Sequence, residues 1–460
     1  MARERLIVIG GVAAGLSAAS EARRQNRWME IRVYEKGPDI SYSNCGLPYY
    51  IEGLVPDADR LRIHSPAFFH AERDIDVLTH REVIEISTSR RRLTVLETGS
   101  APEEVPYDRL VIATGAEPAP AEIEGLALGG VFHVNTLQST VALKGYLESA
   151  GVRRAVIIGG GYIGLEMAEA LKAPGRSVTL LERGPDLFEA ADAEIVEVIR
   201  QELARNGVEV VTGAKVVALA GDDHHAGSRE GRGIVRRVYS ENASFEADCV
   251  VLATGVRPRV KIAADAGIAL GAGGAIAVNE YQETSAAGVF AAGDCADALH
   301  LVSGRRAYVP LGTTANKQGR VAGANAAGGR AQFPGIVGTA VVKVFGLEVA
   351  RTGLSSEEAA QAGFRTAEAV IRAAARARYL GGQDILVKLL TDRSTGRLLG
   401  AQMVGPEGVA KRIDVLATAL HARLTAEQVY QLDLSYAPPF SNVWDPILIA
   451  ARQLLHALKR

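Results

Sequence analysis

The sequence predicts an α/β fold in which two Rossmann-like dinucleotide-binding domains are joined by a C-terminal α+β domain. Three observations carry this expectation. A short apolar run ending in glycine, followed by a helix and a second strand, occurs twice, at 5–35 and at 154–182. A second pair of segments, Leu110–Pro118 and Val250–Pro258, repeats a buried-strand pattern ending in Ala-Thr-Gly and a proline, and closes each unit. Beyond the Gly/Ala-rich stretch Ala324–Arg330 the pattern changes to alternating strands and amphipathic helices, the mark of a separate α+β domain.

The first unit reads as strand Arg5–Gly10, small-residue helix Ala13–Arg24 and strand Ile31–Glu35. The second repeats it with strand Arg154–Gly159, a helix from Tyr162 to about Leu171 and strand Ser177–Glu182. The last part contains candidate strands Ala340–Phe345, Asp384–Leu390 and Leu398–Val404 and a helix Glu407–Arg423. The polar interval Gly221–Gly233 reads as a hairpin tip, and its His224-His225 pair as solvated, because no further ligand stands at metal spacing.

Composition excludes several functions. The net charge of −2, from 51 basic and 53 acidic residues, gives no reason to expect a nucleic acid or an anionic membrane as partner. No apolar run approaches the roughly 18 residues of a membrane span. Three scattered cysteines, Cys45, Cys249 and Cys295, form neither a disulfide framework nor a metal knuckle, which fits a reducing cytoplasm and no metal.

The turn Gly159-Gly160-Gly161-Tyr162-Ile163-Gly164 is a full GxGxxG between strand and helix. Gly159 permits the turn, Gly161 lets the backbone approach a pyrophosphate, Gly164 lets helix and strand pack, and Glu182 stands where a ribose would donate to it. That carboxylate repels a 2′-phosphate and favours NADH over NADPH, with Arg183 and Arg176 as partial compensation. The first turn, Gly10-Gly11-Val12-Ala13-Ala14-Gly15, has Val12 where the middle glycine belongs, yet Glu35 ends the next strand at the ribose-binding distance. Far downstream, Thr284–Asp294 reads as a buried strand delivering one carboxylate, Asp294, to a flavin ribityl chain. The following Pro310-Leu-Gly-Thr-Thr starts a helix whose positive end, at Gly312 and Thr313, faces the isoalloxazine. The expectation is FAD in residues 1–115 and 256–330, NAD(P)H in 116–255, and a C-terminal domain over 331–460. Lys36, Asn44, Val83, Thr114, Gly115 and Gly255 complete the expected cofactor contacts.

Cys45 follows the first unit in Ile40-Ser-Tyr-Ser-Asn-Cys-Gly-Leu-Pro-Tyr-Tyr-Ile51. Cys-Gly-Leu-Pro suggests a helix starting just after the thiol with Pro48 in its first turn, and a thiol at a helix N-terminus is expected to have a lowered pKa. Cys249 and Cys295 read as buried structural cysteines. Position 50 is Tyr50, so the second cysteine of a redox pair is missing, and a single thiol must cycle through a mixed disulfide, a persulfide or a sulfenic acid.

On Ile9–Gly15, Ser41–Tyr49, Lys411–Val415 and Tyr436–Ser441 the chain resembles, along nearly its whole length, the coenzyme A disulfide reductases, the single-cysteine branch of the pyridine nucleotide-disulfide oxidoreductases. The resemblance implies that Cys45 forms a mixed disulfide with coenzyme A beside the flavin, with Ser41 and Asn44 near thiol and ligand. It implies a homodimer in which Tyr379 and Tyr436 reach the other subunit's site and protonate the leaving thiolate, and it assigns Arg24 and Arg73 to the phosphates of coenzyme A. The peroxidase and oxidase relatives carry a histidine in the first glycine turn, where this chain has Val12-Ala13-Ala14, which favours disulfide, persulfide or polysulfide reduction. With the chain ending soon after Tyr436, no C-terminal rhodanese domain is expected. Tyr162 is expected to yield at the flavin face when the nicotinamide docks. The alternatives are an NADH oxidase or peroxidase using a sulfenic acid on Cys45, and an electron-transfer flavoprotein or redox sensor that needs no thiol.

Overall fold

Apolar runs such as Leu6–Ile9 and Ala155–Ile158, buried on both faces, can only be central strands of parallel sheets covered by helices. The computed structural model describes residues 3–97, 99–173, 175–222 and 233–459, and it contains two such sheets. The first has five parallel strands in the spatial order Val289–Ala291, Arg109–Ile112, Arg5–Ile9, Glu30–Tyr34 and Asp76–Leu78. The second repeats the plan with Val208–Val211, Ser177–Leu181, Arg154–Ile158, Cys249–Leu252 and Val131–His133. In each, the chain changes direction beside its first strand, which opens a crevice at the carboxyl ends of the strands.

The repeat goes further than the glycine turns. Each unit carries a three-stranded antiparallel insertion, Arg81–Ser87 with Arg92–Glu97 and Glu103–Pro106 in the first, Val216–Asp222 with Ile234–Ser240 and Ser244–Glu246 in the second. The interval 223–232, with His224 and His225, lies outside the described residues. The two Ala-Thr-Gly segments continue into Ala116–Pro118 and Val256–Pro258, which pair antiparallel and so join the two units.

The C-terminal part is one five-stranded antiparallel sheet in the order Ala340–Val344, Leu347–Gly353, Leu398–Gly405, Asp384–Asp392 and Thr366–Ala374. The sequence reading finds three of these strands. Leu347–Gly353 and Thr366–Ala374 escape it, because alanine-rich and charged stretches give a weak strand signal. Helices Val409–His421 and Pro446–Leu458 cover the sheet through Ile413, Leu416, Leu420, Ile447 and Leu454. Another continuous core runs from Leu47 and Ile51 beside the thiol, through Leu165 and Leu171 of the second unit, to Val342, Leu386 and Val404 of this sheet. Among the described residues no helix is long and apolar enough to cross a membrane.

Candidate active site

The first glycine turn leaves its strand at Gly10, whose φ of 110° is open only to glycine, because a Cβ there would strike the carbonyl of Ala113. Glu35 braces the turn: its Oε2 accepts from the Gly11 N–H at 2.8 Å and its Oε1 from the Gly37 N–H at 2.8 Å. Helix Ala13–Gln25 starts at this turn and lies against helix Gly312–Ala326. The two approach so closely that a Cβ on Gly319 or Gly323 would collide with the backbone of Ala14 or Ala18. That contact carries the N-terminus of the later helix, with Gly312 and Thr313, to the first turn, while Gly293 packs its backbone on Ala14 and leaves Asp294 beside it. Burial pushes the Asp294 carboxyl up. Thr114 donates to the Arg259 carbonyl at 2.6 Å, and Gly115 has φ 68° with open space around it. Val83 is buried on its inserted strand and Lys36 is exposed. A glycine turn with free helix amides, one nearby carboxylate and a second helix pointing its positive end at the same crevice fits a flavin dinucleotide.

The second turn is built identically. Gly159, at φ 111°, is pressed against the Ala253 carbonyl, and Glu182 accepts from the Gly160 and Gly184 N–H groups, both at 2.7 Å. Each Glu182 oxygen keeps a lone pair for a ribose hydroxyl. Gly161 faces open space, so a pyrophosphate can reach the backbone there. Gly255 also opens outward. Tyr162 begins the helix Tyr162–Lys172, and the ring of Phe188 meets it edge-on with centroids 4.7 Å apart.

Cys45 stands where the two units meet. Ser41, at φ 46°, donates its N–H to the Gly11 carbonyl at 3.0 Å and accepts from Ile63 N–H at 2.7 Å, which ties the thiol loop to the first turn. Cys45 sits in a single 3-10 turn, Asn44–Gly46, followed by helix Leu47–Glu52 with Pro48 in its first turn. Cys45 and Asn44 are exposed, whereas Cys249 and Cys295 are buried. The expected lowering of the thiol pKa is contradicted. Crowding by protein atoms pushes it up, and the carboxylates of Glu166, from the second unit, and Asp294, from the first, add to this; the thiol's own backbone amide opposes them. A helix of six residues offers too little dipole to win against burial and two carboxylates.

Family models match this architecture: the pyridine nucleotide-disulphide oxidoreductase model over residues 4–327, and the dimerisation domain of the same family over 339–446. The chain belongs to the pyridine nucleotide-disulphide oxidoreductase family. It is therefore an oxidoreductase working with FAD and NAD(P)H, and its C-terminal sheet is the family's dimerisation domain. Over 454 residues, 98% of either chain, it is 39% identical to the CoA-dependent NAD(P)H sulfur oxidoreductase of Pyrococcus abyssi. It is 36% identical, over 99% of either chain, to the NADH oxidase of Methanocaldococcus jannaschii. Among solved structures, the NAD-dependent persulfide reductase of A. fulgidus superposes with a TM-score of 0.94 at 40% identity, covering 98% of this chain and 83% of that one.

Within this family member the remaining expected residues fall into two groups. Tyr379 and Tyr436 lie on the dimerisation domain, 78% and 52% exposed, on loops joined by the Ala377 N–H donating to the Pro438 carbonyl. Phe440, Val443 and Trp444 are exposed on the same loop as Tyr436, an apolar patch of the kind that marks protein–protein contacts. Arg24 is paired with Glu21 at 2.6 Å, and Arg320 joins the same carboxylate from the neighbouring helix at 3.6 Å. Arg73 donates to the Ser20 hydroxyl and lies over the rings of Phe68 and Phe69. A cavity of about 430 Å³ opens between helix Gly312–Ala326 and the dimerisation domain, lined by Thr313, Lys317, Arg320, Phe333 and His421 among others.

Two residues near the thiol go unnoticed in the sequence. Burial holds the Glu166 carboxyl up at about 7, with Glu169 reinforcing this and a hydrogen bond to Tyr49 opposing it. The Tyr49 phenol is pushed up to about 12 by burial and by the carboxylates around it. The one available signal was Glu166 lying a helical turn after Tyr162, hence on the same face.

Proposed function

We propose that this protein is an NAD(P)H-dependent reductase of coenzyme A-linked sulfur, as disulfide, persulfide or polysulfide, with Cys45 as its single redox-active thiol. The observation that carries this reading is the contrast among the cysteines: Cys45 is exposed where the two nucleotide units meet, and the other two are buried. With no internal partner for a disulfide, the thiol must exchange with a sulfur compound from solution. The CoA-dependent sulfur oxidoreductase of Pyrococcus abyssi and the persulfide reductase of A. fulgidus support the substrate class.

FAD, when bound, supplies the two-electron relay between nicotinamide and sulfur. Gly10, Gly11, Ala13, Ala14, Gly15 and Glu35 would hold its nucleotide end, with Lys36, Val83, Thr114 and Gly115 along it and Asp294, Gly312 and Thr313 at the ring end. Gly159, Gly161, Gly164, Glu182 and Gly255 would hold NAD(P)H, with Tyr162 at the same site yielding its place to the nicotinamide, and the Glu182 carboxylate selects the cofactor without a 2′-phosphate. The Cys45 thiolate attacks one sulfur of coenzyme A disulfide, forming a Cys45–coenzyme A disulfide and expelling one thiolate. Two electrons then break that bond, regenerate the Cys45 thiolate and release the second thiolate. Tyr379 and Tyr436 of the second subunit supply protons to the departing sulfur, and Ser41 and Asn44 steady the ligand at the thiol. Arg24, Arg73, Lys317 and Arg320 offer cations to the nucleotide phosphates.

Peroxide or oxygen chemistry on Cys45 fits less well. The side chains whose charges act on the thiol are carboxylates, with no histidine among them. Steady-state rates with coenzyme A disulfide, polysulfide, peroxide and oxygen test the reading. Wild type should prefer the sulfur acceptors, and Cys45→Ser should lose about a thousandfold or more of that turnover while still passing hydride from NADH to flavin. Equal sulfur turnover in the variant would refute it.

A further inference from the structure

Tyr162 is held from two sides, and both lead to the dimerisation domain. One side is its own helix. Glu169, two turns along, pairs with Lys343 and accepts from the Phe345 N–H at 2.8 Å, both on the C-terminal sheet. The other side is the segment 183–192. Its Phe188, 3% exposed and in the left-handed region at φ 51°, presses on the Tyr162 ring and donates its N–H to the Gly160 carbonyl at 3.1 Å.

That segment ends at Asp192, where the C-terminal domain grips it. The Asp192 N–H donates to Gln402 Oε1 at 2.7 Å, its carboxylate accepts from Ser356 Oγ at 2.8 Å, and Lys388 Nζ lies 2.9 Å away. Lys388 projects from the middle of a sheet strand, is 5% exposed, and also meets Glu194 and Glu368, each at 3.1 Å. Arg351 donates to the Ala190 carbonyl just before it. Burial works against charge on Asp192, yet the hydrogen bonds from Lys388 and Ser356 and the Lys388 charge together outweigh it and hold the carboxyl below its usual range. A buried lysine among three carboxylates is a costly way to join two domains if adhesion is all that is needed, since an apolar contact of similar volume serves as well. The cation does fix one position of the segment, because displacing it, with Asp192 and Glu194, would leave the buried Lys388 with Glu368 alone of its three carboxylates.

We propose that Lys388 is a positioning residue for Tyr162, acting through Asp192 and Phe188, so that the dimerisation domain sets how readily the nicotinamide ring is admitted. The inference rests on the reading that Tyr162 yields to the nicotinamide. It does not depend on Cys45 or on the sulfur substrate.

The test is anaerobic rapid mixing of FAD-loaded enzyme with NADH, following loss of flavin absorbance. In Lys388→Met, Phe188 is released from Tyr162, and the Kd for NADH should fall about fivefold, the worth of an edge-on ring pair, with the limiting rate within twofold. Lys388→Arg should restore the wild-type Kd. Tyr162→Ala should itself lower the Kd, and adding Lys388→Met to it should change nothing further. If Lys388→Met does not fold, Gln402→Leu removes only the bond to the Asp192 amide and is read the same way. An unchanged Kd alongside a lowered melting temperature would overturn the proposal, as would a Lys388→Met effect of full size in the Tyr162→Ala background. An unchanged Kd in Tyr162→Ala alone would sink the gate reading and this inference together, while leaving sulfur turnover through Cys45 untouched.

Discussion

The two nucleotide units are the same device put to different uses. Each has a glycine turn pressed on an Ala-Thr-Gly carbonyl, a glutamate bracing that turn through two amides, and a three-stranded insertion. What is packed on each turn differs. The first is capped by helix Gly312–Ala326 and carries the Cys45 loop through the Ser41 bond to Gly11. The second is closed by Phe188 and Tyr162, and its outer segment is gripped by the C-terminal sheet. The lesson is that a turn motif fixes where a dinucleotide lies, whereas the side chains brought to its rim fix what is done with it.

Changes at the first unit's rim should therefore spare hydride uptake, and changes at the second should spare sulfur chemistry. After Cys45→Ser, the largest effect expected under this division is at the exposed tyrosines. Tyr379→Phe with Tyr436→Phe should cut sulfur turnover about a hundredfold, the usual worth of a general acid, with unaltered flavin reduction by NADH in single-turnover mixing. Slower flavin reduction would break the division.

Glu182→Ala should act on the other side alone. The KM for NADH should rise on the order of tenfold through loss of a charge-assisted bond to the ribose, and that for NADPH should rise less or fall. Comparing kcat/KM for the two nucleotides checks it; a parallel loss for both would mean that the carboxylate only braces the turn.

The smallest effect sharpens the comparison, because Glu166 belongs to the second unit yet acts on the thiol of the first. Its carboxyl is raised to about 7 from an ordinary value of 4.5. The fold thus favours the protonated form, and the stability this contributes is complete below about pH 4.5 and is lost as pH rises through about 7. Over the same window a negative charge appears beside Cys45 and opposes the thiolate. Glu166→Gln should flatten the pH dependence of thermal unfolding between these values and move the pH profile of Cys45 alkylation to lower pH. Superimposable profiles would remove Glu166 from the thiol's surroundings.

Much of this was legible in the sequence, because the signals were local. Both glycine turns, Glu35, Glu182 and the helix starting near Gly312 declare themselves by spacing within a single strand-turn-helix unit. The state of the thiol was not legible. A lowered pKa follows from Cys-Gly-Leu-Pro alone, but the outcome depends first on burial and then on Glu166 and Asp294, which lie 121 and 249 positions away in the chain and meet Cys45 only once both units have folded. The same holds for Lys388, whose partners Asp192, Glu194 and Glu368 come from a different domain and a neighbouring strand. Charges brought together by tertiary packing leave no periodic trace.

The central claim is that Cys45 is a thiol open to coenzyme A-linked sulfur. Intact-mass measurement under non-reducing conditions, after mixing coenzyme A disulfide with protein whose Cys45 has first been reduced and whose excess reductant has been removed, tests it most directly. The account predicts a gain of a single coenzyme A per chain, removed by NADH and absent from Cys45→Ser. A wild-type mass unchanged by coenzyme A disulfide, or an adduct persisting in the serine variant, would contradict it.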